Sequence, residues 1–533
     1  MSSYNNNIRY VSNRHDLASR LLKYGLFPEH LPPCFNSENF GNVYYRKIDF
    51  ENYISLLKNN STLSLYFPLT RDKNEVRGLK IPNFLAYFDL VNCISFYWES
   101  DLYEYFKKNW EYMGTGEVNP NLVSMKKDGR LFDMSSYKYF EEDFDLDYKL
   151  FSKYKVKFDI TKFYDSIYSH SISWAILGKS EAKKHRNNTE LFNNKLENTI
   201  MNLDSRESYG IPIGPDTSYV IADILLSKID SVLRDEFENY YRFIDDYVFY
   251  AKDDLEVEKF RNILRRELYK YKLSLNDFKF SVESIPNTFY ENWIYDIKNF
   301  DLKDEETSIK LFIDLLHKHS VLNFGKVYKF GMKTLLNTVE DMDDQKYNFI
   351  LKSLIQMIFK YPYLISLLDV FFEKFGVHDI SMNLYIDKLI ISSVEKQQID
   401  VFVWCLYLSI KYDFWINSDN FYKNNKFKMK DCLSLLMIFY YFKSDNKSRD
   451  IDVLKKYYRS SIQNKNDDDV IEYMNFENSY WLLEYELFFN GIIGNPYKGV
   501  MGKEFKFMKD NNINFMKFIE VESIDDDIEE IPF

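Results

Sequence analysis

One ten-residue run constrains this chain more than any other. Tyr241-Arg-Phe-Ile-Asp245-Asp246-Tyr-Val-Phe-Tyr250 sets two adjacent carboxylates inside a stretch that is otherwise largely aromatic and β-branched. Such residues favour extended backbone. Two acids in the middle of an apolar run belong at the tip of a β-hairpin, where they reach water. Side by side they repel each other and lose solvation, and a divalent cation relieves both costs. An isolated Asp pair reads more simply as a turn, and Asp253-Asp254 a few residues later is read that way.

Two upstream segments favour the cation reading for Asp245-Asp246. Lys155-Val-Lys-Phe-Asp159 is a short strand ending in a carboxylate, and Tyr164 follows five residues later, in the turn into a helix. Gly210-Ile-Pro-Ile-Gly214-Pro-Asp-Thr-Ser218 is a loop shaped by glycine and proline that runs into an apolar helix over 219–229. Its glycines and small hydroxyl let something bulky pass close to the backbone; an ordinary loop with a helix cap is the alternative. An acid at a strand end, a Gly-Pro loop and a paired acid within an apolar strand, in that order, are more specific than any one part. Carboxylate oxygens suit Mg²⁺, which keeps waters and substrate phosphates in its shell. Two such ions about 3.5–4 Å apart clamp the attacking and leaving oxygens of a phosphoryl transfer.

In these segments the chain resembles the reverse transcriptase family, whose fold is the fingers, palm and thumb of a right-hand polymerase. The resemblance puts Asp159 on the first catalytic acid and Phe243-Ile-Asp245-Asp246 on the Tyr-x-Asp-Asp box, with Phe for Tyr. It implies Asp159, Asp245 and Asp246 as catalytic acids around two Mg²⁺ ions, with Mn²⁺ as a substitute. Tyr164 matches the aromatic gate beneath the sugar, which disfavours a 2′-hydroxyl and makes DNA the product. Gly210, Pro212, Gly214 and Ser218 fall on the template and primer loop, where Ile213 replaces the family's Gln. Leu275-Asn-Asp-Phe-Lys279 resembles the loop whose Lys approaches the incoming triphosphate, which casts Lys279 as a proton donor to the leaving pyrophosphate; a plain surface lysine is the alternative. The stretch from Arg71 to Asn83 resembles the fingers segment, with Arg77 and Lys80 as dNTP ligands ahead of Arg71. An Arg fork suits phosphate better than a point charge does; a solvated basic hairpin is the competing reading.

The match narrows further along the chain. Tyr168-Ser-His170-Ser-Ile-Ser-Trp174-Ala-Ile-Leu-Gly178-Lys179-Ser180 resembles the stretch after the first catalytic acid in abortive-infection, AbiK-like reverse transcriptases. The segment Tyr24-Gly-Leu-Phe-Pro-Glu-His-Leu-Pro-Pro33 resembles the start of other defence-associated bacterial members. That group implies antiphage defence by abortive infection, protein-primed DNA synthesis from dNTPs with untemplated synthesis among its modes, and homo-oligomers. A noncoding RNA is a further candidate partner. Two other readings stay open: an RNA-templated enzyme of the retron or intron kind, and a polymerase-shaped RNA-binding scaffold.

The net charge of −12 is unusual for a nucleic-acid partner. Residues 149–195 reverse it locally, with ten Lys+Arg against four Asp+Glu. Lys179, Lys183, Lys184 and Arg186 in that stretch suit a phosphate backbone, or else form a solvated helix face. The 44 Tyr and 46 Phe can fill a core or stack on bases, and codon bias also explains them. The four cysteines include no CxxC pair, which argues against a cysteine zinc site. No His follows His378, so a C-terminal His-dependent nuclease is not expected.

The expected organisation is an N-terminal segment and fingers over 1–140, a palm over 141–300, and an α-helical, thumb-like or repeat-like domain over 301–533. The fold class is thus α+β right-hand polymerase followed by an all-α helical-repeat-like domain. Ile309, Phe312, Ile313 and Leu316 mark one buried helix face, and Leu351, Leu354, Ile355 and Ile358 another. Further helices are expected near 364–375, 384–395, 399–412, 431–443 and 478–490, with an acidic tail after Val521. No apolar run is long enough to cross a bilayer, and no leader is recognisable, so the sequence predicts a cytoplasmic chain without a membrane partner.

Overall fold

The computed structural model describes residues 9–10, 13–58, 60–71, 75–111, 123–124, 129–131, 148–286, 291–340, 342–378, 382–463 and 479–518. The acidic tail after Val521 and positions 72–74 of the fingers segment lie outside them.

A four-stranded antiparallel sheet carries the acids. Its order is Tyr240–Phe243, Asp246–Ala251, Tyr154–Phe158, Ser281–Ser284. Alternation along Asp246–Ala251 explains its central place. Tyr247, Phe249 and Ala251 join the main core, while Val248 and Tyr250 form a small second cluster with Tyr241 on the other face. A strand buried on both faces leaves its terminal acid as the one exposed residue, and Asp246 is that residue. Behind the sheet run Asp254–Lys270 and Thr217–Arg234. Phe260 of the first stacks on Phe249 with ring centroids 4.2 Å apart and also meets Phe158 and Phe237.

The segment expected to form the fingers is an antiparallel hairpin, Leu65–Thr70 against Val76–Ile81. It leads into Phe84–Phe96, a helix capped by the Asn83 side chain and buried on nearly every side. The Lys80 amide donates to the Ile213 carbonyl (3.0 Å), which ties the hairpin to the glycine loop.

From residue 292 on the described chain is helical, apart from a hairpin of Tyr422–Lys423 with Lys426–Phe427. The two apolar faces anticipated from spacing lie on Glu306–Asn323 and Asp344–Lys360 and are buried. Helices Ser366–Phe375, Met382–Lys396, Ile399–Lys411, Cys432–Ser444 and Trp481–Phe489 occupy the remaining expected places. Consecutive helices pack in pairs. Among the described residues no helix is long and apolar enough to cross a membrane. All four cysteines are free and buried.

The sequence did not reveal where this helical half docks. It closes on the first hundred residues. Asn36 donates its amide to Phe515 (2.9 Å), and the Lys517 amide donates to Cys34 (2.8 Å). Phe27, Phe40, Phe84, Trp481, Phe505 and Phe515 form one aromatic cluster. Buried Asp400 accepts from the Thr70 amide (2.8 Å) and hydroxyl (2.9 Å), fixing the helix Ile399–Lys411 to the fingers hairpin.

Candidate active site

The strand Tyr154–Phe158 pairs with Asp246–Ala251 so that Phe158 faces Tyr247. The next step of that register brings Asp159 beside Asp246. Asp159 is only 9% exposed, and the loop over 274–279 clamps it. Ile160 bridges Leu275, and the Asn276 amide donates to the Asp159 carbonyl (2.8 Å). Asn276 Nδ2 donates to Oδ1 (3.0 Å), and Lys279 Nζ donates to Oδ2 (2.6 Å). The expected Lys279 therefore stands against the first acid itself, with its side chain still 65% exposed toward solvent.

Asp245 sits in the two-residue turn between Phe243 and Asp246. Ile244, the first turn residue, has φ +53°. That region costs a β-branched side chain on the order of 1–3 kcal/mol. A buried charge network holds the turn there. Arg242 Nη1 donates to the Ile244 carbonyl (2.6 Å), while its guanidinium pairs with Asp223 (3.1 Å) and Asp230 (2.8 Å). The helix Thr217–Arg234 supplies both acids, so the glycine loop and the acidic tip share one support.

Electrostatics single out the tip. Burial, then Asp246 and Asp159, push the Asp245 carboxyl up to about 7, against the opposing charge of Arg77. Asp246 is also raised, by burial first, then by Asp159, with which it shares a side-chain hydrogen bond; Lys279 opposes the shift. Three acids in mutual repulsion want more positive charge than Lys279 and Arg77 bring. The donors are all carboxylate oxygens, which fit hard cations such as Mg²⁺ or Mn²⁺. Among the described residues, no three ligating side chains already converge as a complete coordination set. One oxygen of Asp159 faces Lys279 instead.

The remaining expected residues divide into those near the acids and those turned elsewhere. Tyr164 is buried, its hydroxyl has no hydrogen-bond partner among the described residues, and its ring meets Tyr219 edge-on at 6.3 Å. Its carbonyl accepts from the Ile211 amide (3.0 Å), and the Gly210 amide donates to Ile167 (2.8 Å), so the glycine loop is keyed to the aromatic residue. Gly210 has φ +81° and Gly214 φ +126°, and a Cβ on Gly214 would lie 2.6 Å from Pro28 Cγ. Pro212 accepts at its carbonyl from the Ser218 hydroxyl (2.6 Å), so Ser218 closes the loop on itself. Arg77 is half-buried and acts on Asp245. Lys80 forms an ion pair with Asp204. Lys179 lies over the Trp174 ring, and Lys184 pairs with Glu181 (2.6 Å), while Lys183 and Arg186 are exposed. His170 pairs with Glu197.

Sequence reasoning missed the roles of Asn276, Arg242, Asp223, Asp230 and Tyr219. The last three follow the glycine loop at positions 219, 223 and 230, one face of a helix. Two acids on a helix face otherwise apolar were a signal that a cation from elsewhere meets them.

The family model described as reverse transcriptase (RNA-dependent DNA polymerase) matches residues 121–312. A search of curated proteins gave no match. Similar solved structures include apo telomerase from Candida tropicalis, at 13% identity and TM-score 0.28, covering 74% of this chain and 73% of that one. A form of it truncated from the C-terminal domain is 13% identical with TM-score 0.25, covering 47% of this chain and 56% of that one. Telomerase from Candida albicans in complex with a TWJ fragment of telomeric RNA is 12% identical with TM-score 0.27, covering 66% of this chain and 67% of that one. This chain thus spans just over half of the truncated telomerase, and superpositions at such scores establish no common fold over those lengths. What the family match supports, over the segment that holds the acidic hairpin and its clamp, is a domain similar to reverse transcriptases at residues 121–312.

Proposed function

We propose that this chain joins dNTPs into DNA at Asp159, Asp245 and Asp246. The observation that carries the reading is the meeting of strand end and hairpin tip: Asp159 against Asp246, with Asp245 raised to about 7 by burial and then by its acidic neighbours. Two divalent cations held there would supply charge for the attacking and leaving oxygens of the phosphoryl transfer. Asp159 and Asp246 hold that charge from two adjacent strands, and the Arg242 network keeps Asp245 at the tip. Lys279, which donates to Asp159 (2.6 Å), would be free to turn its ammonium toward the leaving pyrophosphate and protonate it if the acids were neutralised by bound cations. Arg77, whose charge already reaches Asp245, is the residue that would meet the triphosphate. Tyr164 fills the space beneath the sugar and favours a deoxyribose. Lys80, already paired with Asp204, contributes through its backbone link to the glycine loop rather than as a first choice for phosphate.

The biological role in this reading is antiphage defence by abortive infection, with a protein hydroxyl as primer. It rests on the resemblance of Tyr24–Pro33 and Tyr168–Ser180 to defence-associated members. A homo-oligomer, a noncoding RNA and a helical-repeat C-terminal half belong to the same proposal.

Purified protein with Mg²⁺ and labelled dNTPs, with and without primed RNA, tests it. The expected result is labelled DNA that is absent from an Asp245→Ala, Asp246→Ala double variant. Label that enters a denaturing gel only after proteinase would add protein priming. No incorporation on any template would sink the reading in favour of a scaffold.

A further inference from the structure

Among the described residues, most aromatic side chains lie in the core or pack against it. One group that reaches the surface is built from three separate segments. Tyr168 and Tyr209 pair as an isolated bridge with ring centroids 4.7 Å apart and planes 34° from parallel. His170 and Trp174 meet Tyr168 edge-on at 4.8 and 5.6 Å. Lys272 Nζ stands 3.8 Å from the Tyr168 centroid and donates to the Tyr209 hydroxyl (2.9 Å). Lys179 Nζ stands 4.4 Å over Trp174. Tyr209 is 53% exposed even so.

The charges of this patch are arranged for an anion. Among the described residues, neither Lys272 nor Lys179 makes an ion pair. Exposed Lys183 and Arg186 continue the positive side, and the acids Glu181 and Glu197 are taken up by Lys184 and His170. The patch also adjoins the acidic site through the backbone. Tyr209 precedes Gly210, whose amide bonds to Ile167, and Lys272 lies three residues before Leu275, the partner of Ile160.

We infer that Tyr168, Tyr209, Trp174 and Lys272 form a stacking platform for a single-stranded nucleic acid next to the acidic site. Unpaired bases stack on the open face of Tyr209, and Lys272, Lys179, Lys183 and Arg186 follow the phosphates. A duplex has its bases already stacked and gains only the charge contacts. The identity of the ligand rests on the polymerase reading; the platform itself needs no metal.

The test is fluorescence anisotropy with labelled dT and rU 12-mers and a 12-base-pair duplex, on full-length protein in EDTA. Tyr209→Ala is expected to weaken single-strand binding about tenfold or more, with Tyr209→Leu equally weak, Tyr209→Phe close to wild type, and duplex binding little changed. Lys272→Ala is expected to weaken single strands and to lower the salt dependence. The dT and rU arms tell whether product-like or template-like strands are preferred. Unchanged single-strand affinity in Tyr209→Ala would overturn the platform, as would equal losses for single strand and duplex. Matched melting temperatures guard against misfolding. A chain that never polymerises but shows the Tyr209 effect would sink the catalytic reading and leave the platform standing; robust polymerisation without the effect would do the reverse.

Discussion

Two Asp-Asp pairs within ten residues show how context assigns chemistry to identical letters. Asp253 spends its carboxylate on the Glu256 amide (2.9 Å) and caps the helix Asp254–Lys270. Asp253→Ala should cost about 1 kcal/mol of stability, read as a lower melting temperature, and leave synthesis intact. Asp245→Asn should do the opposite, removing synthesis and raising the melting temperature in EDTA at pH 8. The sign follows from the raised carboxyl. The folded chain holds its proton up to about pH 7, whereas the unfolded chain releases it near pH 4, so stability falls as pH rises between those values. The gain in the Asn variant at pH 8 should be of order 2 kcal/mol after solvent screening and vanish at pH 4. Mg²⁺ should stabilise wild type more at pH 8 than at pH 5, which thermal melts at both values would show. The acids were legible in the sequence because carboxylates interrupting an apolar strand are costly and therefore conspicuous. Asn276 was not, because an amide in a polar loop gives no such contrast.

At the scale of elements, the acidic hairpin stands on a helix rather than on its own turn. The Arg242 guanidinium joins a strained turn carbonyl to Asp223 and Asp230. Arg242→Met should destabilise by roughly 3–5 kcal/mol, since it removes the guanidinium that faces two buried acids. A triple change that also makes Asp223 and Asp230 into Asn should recover much of that loss in denaturant melts, yet leave Mg²⁺-dependent synthesis impaired because Ile244 is no longer held. Strands and helices were readable from periods of two and 3.6, and even the helix ends fell close to expectation. The sheet order and the return of the 274–279 loop over Asp159 were not, because register between distant strands depends on packing that no local pattern records. Lys80 illustrates the limit. Its place in the hairpin was legible, but its partner Asp204 lies 124 residues away.

For the whole molecule, the helical half is less an appendage than a wall of the N-terminal core. Glu486, 0% exposed, sits at that junction and accepts from the Tyr440 hydroxyl (2.6 Å) and the Phe515 amide (3.0 Å). Burial pushes its carboxyl up to about 7, so the junction too loses stability as pH climbs from about 4.5. Glu486→Gln should keep the Phe515 amide on its oxygen and reverse the Tyr440 bond, with Nε2 donating to the hydroxyl oxygen, and so flatten that slope and raise the melting temperature at pH 8 relative to wild type. A loss at every pH would show that the ionised form is the one the fold uses.

The pairing of residues 34–36 with 515–517 also sets a timetable for synthesis on the ribosome. The apolar faces of Phe27, Phe40 and Phe84 are made early, and Phe505 and Phe515, which cover them, come more than 400 residues later. At roughly 5–20 residues per second, that gap is about 20–100 s. During it the nascent fingers carry an open greasy surface that a holdase chaperone would cover. A ribosome stalled before residue 515 would release a chain that already holds Asp159, Asp245 and Asp246 but lacks the segment that seals its first core.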